Sequence, residues 1–123
     1  MNTNILRKGR FLRSEIEAMT CHREELLRCA EDCEGTIKKK YLDLAASITA
    51  RIRKREQEIA DFESAVAQIE DVEVRTMIQL YADGLDWDQV NMKVYGYRSD
   101  HACRKRVVRY LNNHPELLLL LES

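Results

Sequence analysis

Apolar residues in the first 69 positions return at heptad spacing, and that periodicity leaves few folds open to the chain. The first run holds Ile5, Leu12, Ile16, Met19, Leu26, Ala30 and Cys33, at steps of seven, four, three, seven, four and three, with gaps at Gly9 and Arg23. A helix-stop signal, Glu31-Asp-Cys-Glu-Gly35, and the basic run Lys38-Lys-Lys40 follow. A second run keeps the spacing through Tyr41, Ala45, Ile48, Ile52, Ile59, Phe62, Val66 and Ile69, broken at Arg55. Steps of three and four put such residues on one stripe of a helix. Two helices of roughly 30 residues are expected, each about 45 Å long at 1.5 Å per residue. A short connection favours an antiparallel pairing. At this polarity neither helix holds alone in water, so the stripes must face each other, another copy of the chain, or the C-terminal part.

From Asp71 the pattern shortens. Asp71 or Glu70 can start a helix that carries Val74, Met77, Ile78 and Tyr81 on one side. Gly84 suits the position just past its end, where a left-handed backbone is wanted. Asp86 and Gln89, three residues apart, have capping-box spacing for a next helix, whose buried side would be Trp87, Val90 and Val94. Gly96 makes a turn, and Ser99 is a good N-cap for a last main helix over residues 100–112. The expected fold is therefore all-α. An N-terminal antiparallel helical hairpin, coiled-coil-like, spans 1–70 and serves interaction or oligomerisation. A helix-turn-helix unit with a leucine-rich tail spans 71–123.

The last main helix carries the chemistry. On a helical wheel Cys103, Val107, Tyr110 and Leu111 form its inward side. The outward side centres on Lys105 and Asn112, with His101, Val108 and Arg109 beside them and Arg104 and Arg106 on the flanks. Between Lys93 and Arg109 there are six basic residues and one acid, Asp100, in a chain of net charge −1. A helix laid in the major groove needs long polar side chains on its outward face and near its N-terminus, where they reach base edges and both phosphate walls. The expected DNA-binding residues are Arg98, Ser99, His101, Arg104, Lys105, Arg109 and Asn112, with double-stranded DNA as the partner. The plain alternative is a solvated basic face. Trp87 is expected in the core rather than as a base-stacking platform. Arg51, Arg53, Lys54 and Arg55 point around their helix and are expected in solvent.

Composition excludes more than it assigns. The near-neutral charge argues against a protein that coats nucleic acid and against an acidic DNA mimic, so any DNA affinity must be local. Cys29 and Cys33 lie one helical turn apart, but Cys21, Cys103, His22, His101 and His114 are scattered and form no paired knuckle. Reduced thiols packed as small apolar groups are expected, with no metal and no cofactor. There is no carboxylate pair, nucleophile with a base, or glycine-rich phosphate loop at useful spacing, so an enzyme is not expected. Neither a membrane span nor a signal peptide is read, and a cytoplasmic protein is expected.

The run from Asp71-Val-Glu-Val-Arg75 through Leu80-Tyr-Ala-Asp-Gly84 to Trp87-Asp-Gln-Val90 resembles the fourth conserved region of bacterial sigma factors. It is most similar to small sigma-like helix-turn-helix regulators of Gram-positive phages and integrated elements. Arg75, Leu80, Gly84, Trp87 and Val90 match that wording, with Tyr81 one place early and Asn91 where such motifs carry alanine. The matching stretch covers about 40 residues; the heptad-rich part agrees in kind. What the resemblance implies is DNA binding and regulation of transcription. The chain shows no second sigma-like segment for opening a promoter. A regulator touching RNA polymerase or another protein through its hairpin is the reading. Two rivals stay open: an interaction module, such as a host-factor inhibitor, whose helix-turn-helix is not used for DNA, and a DNA-packaging protein of the small terminase type, whose expected order of parts is reversed here.

The tail, Pro115-Glu-Leu-Leu-Leu-Leu-Leu121, sets a packing problem. Pro115 fits the first turn of a short helix, and five consecutive leucines expose apolar surface on every side of it. Sharing the tail between the domain core and a second chain, as a homodimer, is expected. Docking within the chain against the hairpin is the alternative.

Overall fold

A computed structural model describes residues 4–122, and among them the chain is all-helical with no strand. Six helices follow in order: α1 (Asn4–Glu31), α2 (Gly35–Ala67), α3 (Val72–Ala82), α4 (Trp87–Tyr95), α5 (Ala102–Asn112) and α6 (Pro115–Glu122). The break between α1 and α2 falls in the stop signal, and Gly35 takes a left-handed φ of +64°. No helix of the described residues is long and apolar enough to cross a membrane.

The described residues divide into two compact units. One runs from Leu12 to Ile59; the other joins the residues up to Phe11 with those from Ala60 onward.

The unit of residues 12–59 is built from α1 and α2 alone. Leu26, Ala45, Ile48 and Ile52 are buried together, with Ile16, Met19 and Tyr41 packed against them. These are heptad positions of both helices. Arg23 Nη1 donates to Thr49 Oγ1 at 3.4 Å, and Arg55 Nε meets Glu15 Oε2 at 3.3 Å. The pair nearer the connection in one helix is also nearer in the other, so the two helices run in opposite directions. Arg55 also pairs with Glu58 at 2.9 Å, and these carboxylates hold its guanidinium above its ordinary pKa, the Glu58 hydrogen bond first. The rest of the basic run, Arg51, Arg53 and Lys54, is exposed.

The second unit has one core. Leu6 of α1, Phe62, Ala65 and Val66 at the end of α2, and Ile69 just beyond it are buried with Val74, Met77, Ile78, Tyr81, Val90, Cys103, Val107, Leu111, Leu117 and Leu121. Phe62, Val66 and Ile69 continue the heptad spacing of α2 but belong to this core. Gly9 explains one gap in the first stripe: a Cβ there would lie 3.0 Å from Phe62 Cε1 and 3.2 Å from Ala82 Cβ. The missing side chain lets α1 approach that closely.

α6 joins this core through Leu117 and Leu121, with Leu118 packed beside them. Lys8 Nζ donates to the Leu121 carbonyl at 3.5 Å. Leu119 and Leu120 remain exposed, at 69% and 43%. Helical spacing explains the split: residues 117 and 121 are one turn apart, while 119 and 120 point to the other side.

Candidate nucleic-acid interface

The platform for α5 is set by local capping. Asp71 caps α3, its carboxylate accepting from the Val74 amide at 3.1 Å. α3 ends at Asp83, and Gly84 follows with φ +111°. Asp86 and Gln89 form a reciprocal capping box: the Gln89 amide donates to Asp86 Oδ1 at 2.8 Å and the Asp86 amide donates to Gln89 Oε1 at 3.0 Å. Gly96 closes α4 in the left-handed region at φ +81°, its amide donating to the Met92 carbonyl. A side chain there would be strained, so the tight exit from α4 depends on this glycine.

Tyr81 and Trp87 hold the α3–α4 turn, their rings stacked at 4.3 Å and 11°. The first turns of α1 brace the same place. Arg7 Nε donates to the Tyr81 hydroxyl at 3.2 Å, and the Arg10 guanidinium sits 4.8 Å over the Tyr81 ring. Arg10 also donates to the carbonyls of Gly84 and Leu85. Both carbonyls lie in the turn between α3 and α4, so Arg10 ties α1 to that turn.

Regular helix in α5 begins later than Ser99. His101 stands at the N-cap without a side-chain capping bond to the helix amides, and α5 opens at Ala102. Ser99 nevertheless reaches forward, its hydroxyl accepting from the Ala102 amide at 3.2 Å. Asn91 of α4, wholly buried, donates from Nδ2 to the Tyr97 carbonyl at 2.7 Å and accepts from Cys103 Sγ at 3.2 Å. That side chain ties both the turn and the first residues of α5 to α4.

α5 presents two different faces. Cys103, Val107 and Leu111 are fully buried, and burial pushes the Cys103 thiol up from its ordinary pKa. Arg104, Lys105, Arg109 and Asn112 are exposed. These four line one shallow depression together with Val108 and Asn113. The other expected residues precede the helix. Arg98 is exposed and pairs with Asp88 at 3.2 Å, lining a separate hollow beside α4 with Gln89, Met92 and Lys93. His101 is exposed and its Nδ1 lies 2.5 Å from Asp100 Oδ1. This hydrogen bond, and then the attraction of the ring, hold the Asp100 carboxyl below its ordinary pKa.

Arg106 has a different task from its basic neighbours. Its guanidinium bonds Glu73, the Tyr95 hydroxyl and Asp71, the last at 3.2 Å. Tyr95 in turn donates to Glu73 at 3.2 Å. One cation thus ties α5 to the end of α4 and the start of α3. These bonds, Tyr95 first and Glu73 next, hold Arg106 firmly protonated. The Asp71 carboxyl is kept below its ordinary range, first by the Val74 amide and, after the opposing effect of burial, by Arg106. Wheel position alone shows Arg106 on a flank; the acids it meets lie 33 and 35 residues away. The sequence marks Asn91 as a departure from alanine, but the partners of its amide, Tyr97 and Cys103, emerge only from the packing of α4 and α5.

The cysteines all carry free thiols: Cys21 and Cys29 exposed, Cys33 half-buried, Cys103 buried. No group of three or more His, Cys, Asp or Glu among the described residues is placed to hold a metal. Searches of protein-family models, of curated proteins and of solved structures found no match for this chain.

Proposed function

We propose that the protein is a sequence-specific, DNA-binding regulator of transcription, made of a helical hairpin and a helix-turn-helix in which α4 supports and α5 reads. One observation carries this reading. α5 is fixed by a wholly buried apolar side and turns Arg104, Lys105, Arg109 and Asn112 outward on one shallow surface. Arg and Lys there suit guanine edges and phosphates, and Asn suits adenine. Arg98 and the exposed turn before α5 stand where a phosphate wall would run. The reading agrees with the likeness to the fourth region of sigma factors and with a phage-type regulator that acts in the cytoplasm.

The test is duplex binding by the full chain at two salt concentrations. A protein that neutralises several phosphates loses affinity steeply as salt rises. Binding that ignores salt, or no binding, removes the proposal.

A second reading rests on the hairpin. Leu27, Ile37, Leu42 and Leu44 are exposed at 41–59%. They lie on α1 and α2 on either side of the connection, and Ile37 and Leu44, two helical turns apart on one side of α2, offer a protein partner, RNA polymerase or another factor, an apolar surface to meet. In an interaction module of this kind α5 is not used for DNA, and duplex binding is absent while the partner is retained.

A further inference from the structure

The surface of α5 holds one side chain that the charged residues do not explain. Val108 is half-buried and lines the shallow depression with Arg104, Lys105, Arg109 and Asn112. A single apolar residue at a protein surface is ordinary. Its position sets this one apart. Arg104 lies four residues before it, Lys105 three before and Asn112 four after, so these residues are its neighbours along one face of the helix. It is a branched side chain with two methyl groups and no polar atom, held among groups that seek hydrogen bonds.

We propose that Val108 reads the C5 methyl group of a pyrimidine in the major groove, flanked by base contacts from Arg104 or Lys105 on one side and Asn112 on the other. This rests on the DNA-binding reading of α5. In the major groove, thymine is the base that offers a methyl group, and apolar side chains recognise it there. Arg or Lys pairs with guanine O6 and N7, and Asn with adenine N6 and N7. A methyl-bearing pyrimidine between two hydrogen-bonded bases therefore matches the order of chemistry along this face. The same methyl occurs on 5-methylcytosine, so the ligand is the group rather than one base. The rotamers of Val are few, which keeps its methyls at a fixed place relative to the helix.

The experiment begins with a site selected from a random, unmethylated duplex pool by the full chain. Each thymine of that site is then replaced in turn by deoxyuridine, which lacks only the methyl. At one position or more the wild-type protein is expected to bind about fourfold more weakly, the worth of one buried methyl. Val108→Ser is expected to bind the thymine and uracil duplexes alike, while keeping its melting temperature and salt dependence. Cytosine at the same position, with and without a C5 methyl, separates the sources. A matching gain on methylation shows that either pyrimidine serves, and a gain with thymine alone assigns the contact to thymine. If uracil matches thymine at every position while the selected site is still preferred, the Val108 inference is wrong and the DNA-binding reading stands. If no duplex is enriched at all, the DNA-binding reading itself fails.

Discussion

Asn91 and Cys103 meet inside the C-terminal unit, the Asn91 Oδ1 accepting from Cys103 Sγ at 3.2 Å with both side chains wholly buried. The other end of the same amide donates to the Tyr97 carbonyl. One side chain of α4 thus sets both the seat of α5 and the path of the turn before it. A buried amide of this kind stabilises only while each of its bonds is made.

Asn91→Ala removes both bonds and leaves the Tyr97 carbonyl and the Cys103 thiol to find other partners. The expected loss is about 1–3 kcal/mol, read from the denaturant midpoint. A midpoint equal to wild type would show that the amide is dispensable. In the folded protein Cys103 should resist alkylation, being buried with a raised pKa, while exposed Cys21 and Cys29 react. Mass spectrometry of the labelled protein counts the sites.

Asp71 gives the C-terminal unit an acid limit. Its folded pKa is depressed by the Val74 amide and by Arg106. A depressed carboxylate contributes stability above its unfolded pKa and loses it as pH falls through the folded value. Stability should therefore decline below about pH 4, the ordinary carboxylate range. Asp71→Asn, which can still cap, should lessen that dependence; Asp71→Ala should cost about 1 kcal/mol at neutral pH. Thermal melts of the three proteins across the acid range test this, and parallel pH profiles would count against it.

Lys105 and Arg109 are exposed on the outward side of α5, away from buried Cys103 and Val107. Replacing both with Ala should weaken duplex binding by about tenfold or more, the worth of one good base pair contact, with little change in melting temperature. Arg98→Ala should weaken all sequences alike and flatten the salt slope, as a phosphate contact does. Undiminished binding by the folded double variant would exclude α5 as the reading helix.

Ile52 is buried with Leu26, Ala45 and Ile48. Ile52→Asp puts a charge into that seam, at an expected cost of several kcal/mol. Circular dichroism with thermal melting reads the result; full helicity with unchanged stability would mean that the seam tolerates water.

The tail separates folding from association. Leu117 and Leu121 lie in the core, whereas Leu119 and Leu120 face outward. Leu121→Ala should cost about 2–5 kcal/mol. We expect the full chain to be a homodimer held in part by the outward leucines, so Leu119→Ser with Leu120→Ser should shift the mass from dimer to monomer at unchanged stability. Sedimentation at several concentrations decides it: a wild-type chain that stays monomeric at high micromolar concentration ends the idea.

Much of this protein is written in neighbouring residues. The helix breaks at Gly35, Gly84 and Gly96, the cap at Asp71 and the Asp86–Gln89 box follow from bonds that close within three or four residues. Such bonds depend on local spacing, so the sequence by itself determines them. The buried sides of α3 and α5 are legible for the same reason, since Val74, Met77, Ile78 and Tyr81, and Cys103, Val107 and Leu111, each return at helical period. The tertiary structure alone decides which stripes meet. Apart from the break at Arg55, heptad spacing runs from Ile48 to Phe62, yet Ile48 joins the core of α1 and α2 while Phe62 joins Leu6 and the C-terminal helices. Gly9 reads as a gap until Phe62 and Ala82 arrive beside it. Arg106 reads as one more cation until Glu73 and Asp71 pair with it, and Asn91 only as a departure from alanine until Tyr97 and Cys103 meet its amide. Periodicity says that a side is apolar or polar. It cannot say which distant surface will cover that side, because this depends on the packing of helices whose partners lie tens of residues away.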